Sequence, residues 1–308
     1  MSGSAATETQ QGMVFDIQRF CIEDGPGIRT AVFLKGCQLR CPWCANPESL
    51  VSRPQLAHFH SRCKLCCTCV STCSVNAISV SEDRIVVDRG KCTACGECAS
   101  ACVRGAMTMI GKLMTCPEVM REVLRDKPFY DESGGGVTIT GGEPTFQPAF
   151  ASALLEASHQ HGIHTTVETN GSCRRGVMEQ IAQHTDLFLF DLKVVASGNE
   201  RNVTGGNISV VLENLARLNE LDRTIIVRFP FVPEYTDSVE NVKRLLEFSA
   251  RLRNVAGLNV LPFHQYGRHK YDALGYPYSL AACPTPPRDK VLEFFSKMGS
   301  PLPITVMG

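Results

Sequence analysis

No stretch of this sequence stays apolar for the ~18–20 residues that a membrane-spanning helix requires. The first dozen residues, Met1 to Gly12, also lack the basic start and apolar centre of a secretory signal. Net charge is missing as well: Lys+Arg and Asp+Glu both number 31. Nothing in that balance draws in nucleic acid or an anionic lipid surface. The basic residues are scattered, with pairs such as Arg174-Arg175 but no stripe. These absences predict a cytoplasmic protein that engages neither nucleic acid nor membrane, with residues 1–12 as a disordered leader.

What the chain does have is cysteine. There are 16, and fourteen of them fall between Cys21 and Cys116. A disulfide scaffold of that density would be small and secreted. In a reducing compartment, clustered cysteines hold metal instead.

Outside that stretch, short apolar runs alternate with amphipathic segments. The pattern predicts strands at Thr30–Lys35, Gly136–Thr140, His164–Glu168, Leu187–Asp191, Thr224–Phe229 and Gly257–Pro262. Helical patterns lie between them, and Pro287–Met298 forms a last helix before a terminal apolar run. Strands alternating with helices imply βαβ units and a parallel sheet, either doubly wound or an incomplete barrel.

Residues 56–110 break the rhythm. They read Cys63-x2-Cys66-x2-Cys69-x3-Cys73 and then, 29 residues on, Cys92-x2-Cys95-x2-Cys98-x3-Cys102. This is the bacterial ferredoxin run, in which each 4Fe–4S cube takes three close thiolates and a fourth from the other half. The proline that commonly follows the fourth cysteine is replaced by Ser74 and Val103. Zinc ribbons also use CxxC pairs, but those pairs sit a dozen or more residues apart. Cys67 is out of register and reads as a free thiol or a packing residue.

Upstream, Cys37-x3-Cys41-x2-Cys44 follows directly on the first strand. Three cysteines cannot close a tetrahedral zinc site, yet they suit a 4Fe–4S cluster with one open iron. Gly141-Gly142-Glu143-Pro144 follows the second strand, where paired glycines permit close backbone approach and the carboxylate can hold an ammonium group. Glu168-Thr169, Asp191-Leu-Lys193, Arg228 and His264 end or follow the next four strands. Polar groups at successive strand C-termini are how a βα barrel builds its active site.

Cys37-Gln-Leu-Arg-Cys41-Pro-Trp-Cys44 resembles the cysteine motif of the radical SAM superfamily. Four further segments narrow the likeness: Asp24-Gly-Pro-Gly-Ile-Arg-Thr30, Ser133 to Pro144, Asp191-Leu-Lys193 and Leu261 to Lys270. With them the chain is similar to the glycyl radical enzyme activating enzymes, in the longer, insert-bearing branch of the pyruvate formate-lyase activase type. The resemblance implies a partial (β/α)6 TIM-like barrel over 13–55 and 111–308. The inserted module, 56–110, would be bacterial-ferredoxin-like and carry two clusters.

By the same resemblance there are three 4Fe–4S clusters in all. Cys37, Cys41 and Cys44 hold the one whose open iron chelates S-adenosylmethionine (SAM), and Trp43 shields it. Gly141, Gly142 and Glu143 grip the SAM amino group and His264 the ribose. Thr169, Asp191 and Lys193 line the methionine, and a monovalent cation sits among Glu168, Thr169 and Asp191. Asp24 and Arg228 meet the glycine-bearing loop of a partner, a glycyl radical enzyme. Flavodoxin or ferredoxin supplies electrons, and a 5′-deoxyadenosyl radical takes hydrogen from a backbone glycine. The competing readings are a radical SAM enzyme acting on a small molecule and a plain iron–sulfur electron carrier. No role is assigned to Cys21, Cys116, Cys173 or Cys283, and no residue selects the target.

Overall fold

The computed structural model describes residues 9–195 and 203–307. Its main feature is a sheet of nine strands. In chain order these are β1 (Gln11–Cys21), β2 (Arg29–Leu34), β7 (Lys112–Thr115), β8 (Gly136–Gly141), β9 (His164–Thr169), β10 (Leu187–Asp191), β11 (Thr224–Phe231), β12 (Val255–Pro262) and β13 (Ile304–Val306). Four short strands between β2 and β7 lie apart: β3 (Gln55–His58), β4 (Ile78–Ser81), β5 (Arg84–Val87) and β6 (Met107–Ile110).

The large sheet has the order β13-β12-β11-β10-β9-β8-β2-β1-β7. Every pairing from β2 to β13 is parallel. The order never reverses along those seven strands, so the doubly wound alternative, which needs a switch point, does not apply. Right-handed crossovers then place the connecting helices on one face. Helix α3 (Cys116–Leu124) packs on α5 (Pro148–Gln160), α5 on α6 (Arg175–Ala182), and α6 on α7 (Ile208–Glu220). Helix α8 (Val239–Ala250) follows β11.

Local chemistry sets the helix starts. Thr115 and Glu118 form a reciprocal capping box at α3. Asn207 and Ser238 cap α7 and α8 through their side chains. Strands such as Leu187-Phe-Leu-Phe190 read as continuous apolar runs because side chains on both of their faces are buried. The core between sheet and helices includes Ile139, Phe150, Leu154, Phe188, Phe190 and Phe229, all essentially inaccessible to solvent.

The sheet corrects one boundary. Gln11 and Gly12, expected in a disordered leader, are paired in β1 with Thr115 and Met114, and residues 1–8 lie outside the described ones. The antiparallel β1 and β7 escaped the sequence reading. β1 is an edge-side strand whose polar face breaks the long apolar signature of its neighbours.

Between β2 and β7 the chain makes a separate small unit. Its entry and exit strands pair antiparallel, from Gln55↔Ile110 to His58↔Met107, so it begins one residue earlier than the expected 56. Inside it, β4 and β5 form a hairpin around Glu82 and Asp83, both at positive φ as a type I′ turn demands. Two single-turn helices, α1 (Thr68–Thr72) and α2 (Glu97–Ser100), pack against each other.

Candidate functional site

β2 runs straight into the loop carrying Cys37, Cys41 and Cys44, and backbone bonds stitch that loop to the turn after β8. Gly142 N donates to Leu34 O at 2.9 Å, Glu143 N to Gly36 O at 2.9 Å, and Gly36 N to Ser49 O at 2.8 Å. Side chains have no room here. A Cβ on Gly142 would lie 2.3 Å from Gly36 O, and one on Gly141, at φ +119°, would lie 2.3 Å from Leu34 N. The far end of the loop is held by α9 (Arg268–Leu274): Tyr271 donates to Cys44 O at 3.0 Å and Lys270 to Asn46 Oδ1 at 2.9 Å.

The three thiols are partly buried, and burial pushes Cys37 up to about 11, Cys44 up to about 12 and Cys41 upward as well. The Lys193 ammonium opposes the rise at all three. A bare thiolate is therefore costly in this loop, and bound iron would supply the missing positive charge. Among the described residues no three His, Cys, Asp or Glu groups converge to hold one metal ion. A four-iron cube makes a different demand, since each thiolate binds a separate iron. The donor set fits such a cluster.

Around this loop the strand ends bring the expected polar residues together. Glu143, though, is not presented to a ligand. Its fully buried carboxylate accepts from Thr145 N at 3.1 Å, Thr145 Oγ1 at 2.8 Å, Thr169 Oγ1 at 2.7 Å and Asn170 N at 2.8 Å. It ties the glycine turn to the end of β9. The Glu143 carboxylate, expected to hold an ammonium group, is engaged by donors within the protein. Thr169 is drawn into the same tie.

The charged residues form one group. Thr140 donates to Glu168 Oε2 at 2.6 Å and Lys193 to Asp191 Oδ2 at 2.7 Å. Arg228 stands 3.4 Å from Glu168, 3.8 Å from Asp191 and 3.9 Å from Asp24. Burial opposes the Arg228 charge, but the three carboxylates more than offset it and hold its pKa up. Arg228 Nε and Nη1 and Asp191 Oδ1 are buried without a hydrogen bond. Each such atom costs ~1–3 kcal/mol, a cost that sites recover on binding.

His264 is exposed after β12, accepts from Tyr266 N at 3.3 Å through Nδ1 and stacks on the Tyr266 ring at 4.3 Å. That bond leaves Nε2 as the donor. Trp43 does not stand free over the loop. It packs edge-on against Tyr235 in a small cluster with Val232, Phe263 and Leu280.

One residue the sequence reading passed over is Arg29, fully buried in β2. Its guanidinium donates to Thr138 Oγ1 at 2.7 Å, Pro26 O at 3.1 Å, Val137 O at 2.6 Å and His164 O at 3.2 Å. With Thr138 donating to Asp24 O at 2.7 Å, it pins the loop bearing Asp24 against β8 and β9. Its place inside the Asp24–Thr30 motif was the available signal.

In the small unit the eight in-register cysteines line two cavities. One is lined by Cys63, Cys66, Cys69 and Cys102, with Cys67 and His58 also on its wall. The other is lined by Cys92, Cys95, Cys98 and Cys73. Backbone amides already point at two of these sulfurs: Ala77 N to Cys73 Sγ at 3.2 Å and Met107 N to Cys102 Sγ at 3.4 Å. The repeat also explains Cys67. Its φ of 60° matches the 85° of Gly96, 29 residues on, and both residues cap single-turn helices. Cys67 thus occupies a left-handed position where the second half uses glycine.

Comparison with known proteins agrees with this geometry. A model described as the radical SAM superfamily matches residues 31–246. The isethionate sulfite-lyase activating enzyme of Oleidesulfovibrio alaskensis is 40% identical over 270 residues, covering 85% of this chain and 87% of that one. The benzylsuccinate synthase activating enzyme of Thauera aromatica is 37% identical over 278 residues, covering 87% and 84%. A radical SAM methyltransferase from Sphaerobacter thermophilus shares the fold, with TM-score 0.51 at 13% identity over 96% of this chain and 76% of that one. The protein is a radical SAM protein by fold, by motif and by match. Within that superfamily it belongs to the glycyl radical enzyme activating enzymes.

Proposed function

We propose that this chain carries out its family's reaction with three 4Fe–4S clusters, one at Cys37, Cys41 and Cys44 and two in the cysteine-lined cavities of residues 55–110. The chemistry the catalytic cluster supplies is reductive cleavage of SAM, which lets hydrogen be taken from a backbone glycine of a partner glycyl radical enzyme. The chain's residues do the rest. The Gly141–Gly142 backbone meets the SAM amino group, His264 Nε2 donates to the ribose, and Lys193 and Asp191 sit beside the methionine. Asp24 and Arg228, held by Arg29 and by the strand ends, orient the partner's glycine loop. Glu168, Thr169 and Asp191 provide oxygens for a monovalent cation. One observation carries this reading: the cysteine loop and the paired-glycine turn share backbone hydrogen bonds at the C-terminal end of a parallel sheet, where such folds place their chemistry.

In this reading the sheet, over 11–54 and 111–307, is a partial (β/α)6 barrel, and the insert is built like a two-cluster ferredoxin. The make-up of the cavity walls supports the second statement, because the fourth cysteine of each run lies with the other run. Electrons enter from flavodoxin or ferredoxin, and oxygen-sensitive clusters suit the cytoplasm. The named relatives serve targets as different as the isethionate sulfite-lyase and benzylsuccinate synthase systems, so the partner's substrate is left open.

Reconstituted anaerobically, the chain is expected to bind roughly twelve irons. Cys73→Ala should then remove the same spectroscopic signal as Cys95→Ala, not the one lost in Cys66→Ala. Four irons per chain, or Cys73→Ala matching Cys66→Ala, would defeat the two-cluster insert.

A further inference from the structure

The two cysteine-lined cavities differ in one respect that the sequence repeat conceals. His58, on β3, lines the cavity of Cys63, Cys66, Cys69 and Cys102 and is only 3% exposed. Its Nε2 is buried without a hydrogen-bond partner. The other cavity has no histidine on its wall. Buried polar atoms are seldom left unpaired, and an orphan points to a group that belongs there. Nothing nearby fills the need. His60 touches the His58 ring edge-on at 4.3 Å without a hydrogen bond, and Arg89 is committed to Leu56 O and Ala273 O.

We infer that His58 donates an Nε2–H hydrogen bond to sulfur of the cluster held by Cys63, Cys66, Cys69 and Cys102, and so raises the reduction potential of that cluster alone. The inference rests on the two-cluster reading of the insert. The physical basis is that donors to cluster sulfur stabilise the extra negative charge of the reduced state. Backbone donors serve both halves alike, at Cys73 and at Cys102. His58, together with the Thr68 hydroxyl that donates to Cys66 Sγ at 3.5 Å, makes the halves unequal: the cluster beside them is the easier to reduce. An electron path with two unequal stations has a direction, which a strict repeat would not give it. β3 fixes the side chain, since His58 is paired with Met107 on β6.

The test is an anaerobic redox titration followed by electron paramagnetic resonance on the full reconstituted chain. Wild type, His58→Phe and His58→Gln are compared, and Cys66→Ala and Cys95→Ala assign the two insert signals. In His58→Phe the signal absent from Cys66→Ala should move to more negative potential, with the signal absent from Cys95→Ala unmoved. His58→Gln, whose amide reaches a similar place, should restore most of the shift. Both insert signals unmoved in His58→Phe, both moved together, or Gln behaving as Phe would overturn the assignment. A measurement on wild type covers the case in which His58→Phe fails to load iron. Protein labelled with 15N-histidine should show a weak 15N coupling to the reduced cluster, lost in His58→Gln, and its absence would equally overturn the inference. If wild type itself binds only four irons, the failure lies with the two-cluster reading and not with His58.

Discussion

The sheet and the insert bury different things. Between the sheet and its helices lie large side chains such as Phe150, Leu154, Phe188, Phe190 and Phe229, each contributing ~1.5–3 kcal/mol by leaving water. In residues 55–110 the buried core is Leu56, Ile78, Ile85 and Met107 together with Cys69 and Cys98, and the residues packed around it include Cys63, Cys73, Cys92 and Cys102. A unit this small, with so few apolar anchors, falls where domains need metal to hold their shape. The sheet is thus stabilised by what it excludes from water, and the insert by what its thiols would bind. The catalytic loop lies between the two cases. Its cysteines would be ligands in the proposed reading, but hydrogen bonds to Ser49, to the turn after β8 and from α9 also tie the loop to the rest of the protein.

The sharpest way to break this contrast is to take the metal away. After chelation or oxidation, amide exchange should become fast across 55–110 while β8 to β12 keep their protection. Uniform loss, or an insert protected without iron, would show that the two regions do not differ as described. A smaller effect concerns the polar group at the strand ends. Asp24→Ala and Arg228→Ala should retain SAM binding and lower glycyl radical formation on the partner by ~100-fold, because a misplaced hydrogen donor costs about that much. If either variant loses SAM affinity, these residues serve SAM and not the partner loop. The smallest effect is at Cys67. Glycine there relieves a left-handed residue that costs roughly 1–2 kcal/mol, so Cys67→Gly should leave the iron content unchanged and leave stability equal or slightly higher. Loss of a cluster in that variant would make Cys67 a ligand.

The six long parallel strands were legible because burial on both faces makes them rich in apolar and β-branched residues between helical patterns. The topology was legible only as two alternatives, and the strand order separates them. β1 and β7 were not seen, since both carry polar residues that interrupt the apolar pattern and β7 is only four residues long. In the site, spacing alone located the cysteines and the glycine turn. It could not reveal that Glu143 is consumed in bonds to Thr145, Thr169 and Asn170, because a carboxylate beside glycines reads the same whether it faces a ligand or its own loop. Arg29 was hidden for a related reason: a charged residue at a strand start looks solvated until the strand proves buried. Cys67 becomes intelligible only when the 29-residue repeat is combined with backbone angles.

The measurement that bears most directly on the central claim is SAM cleavage by Cys41→Ala. Anaerobically reconstituted wild type, given a strong artificial reductant, should turn SAM into 5′-deoxyadenosine. Cys41→Ala should form none while keeping the spectroscopic signals of both insert clusters. Full turnover in Cys41→Ala would place the chemistry somewhere other than the loop after β2.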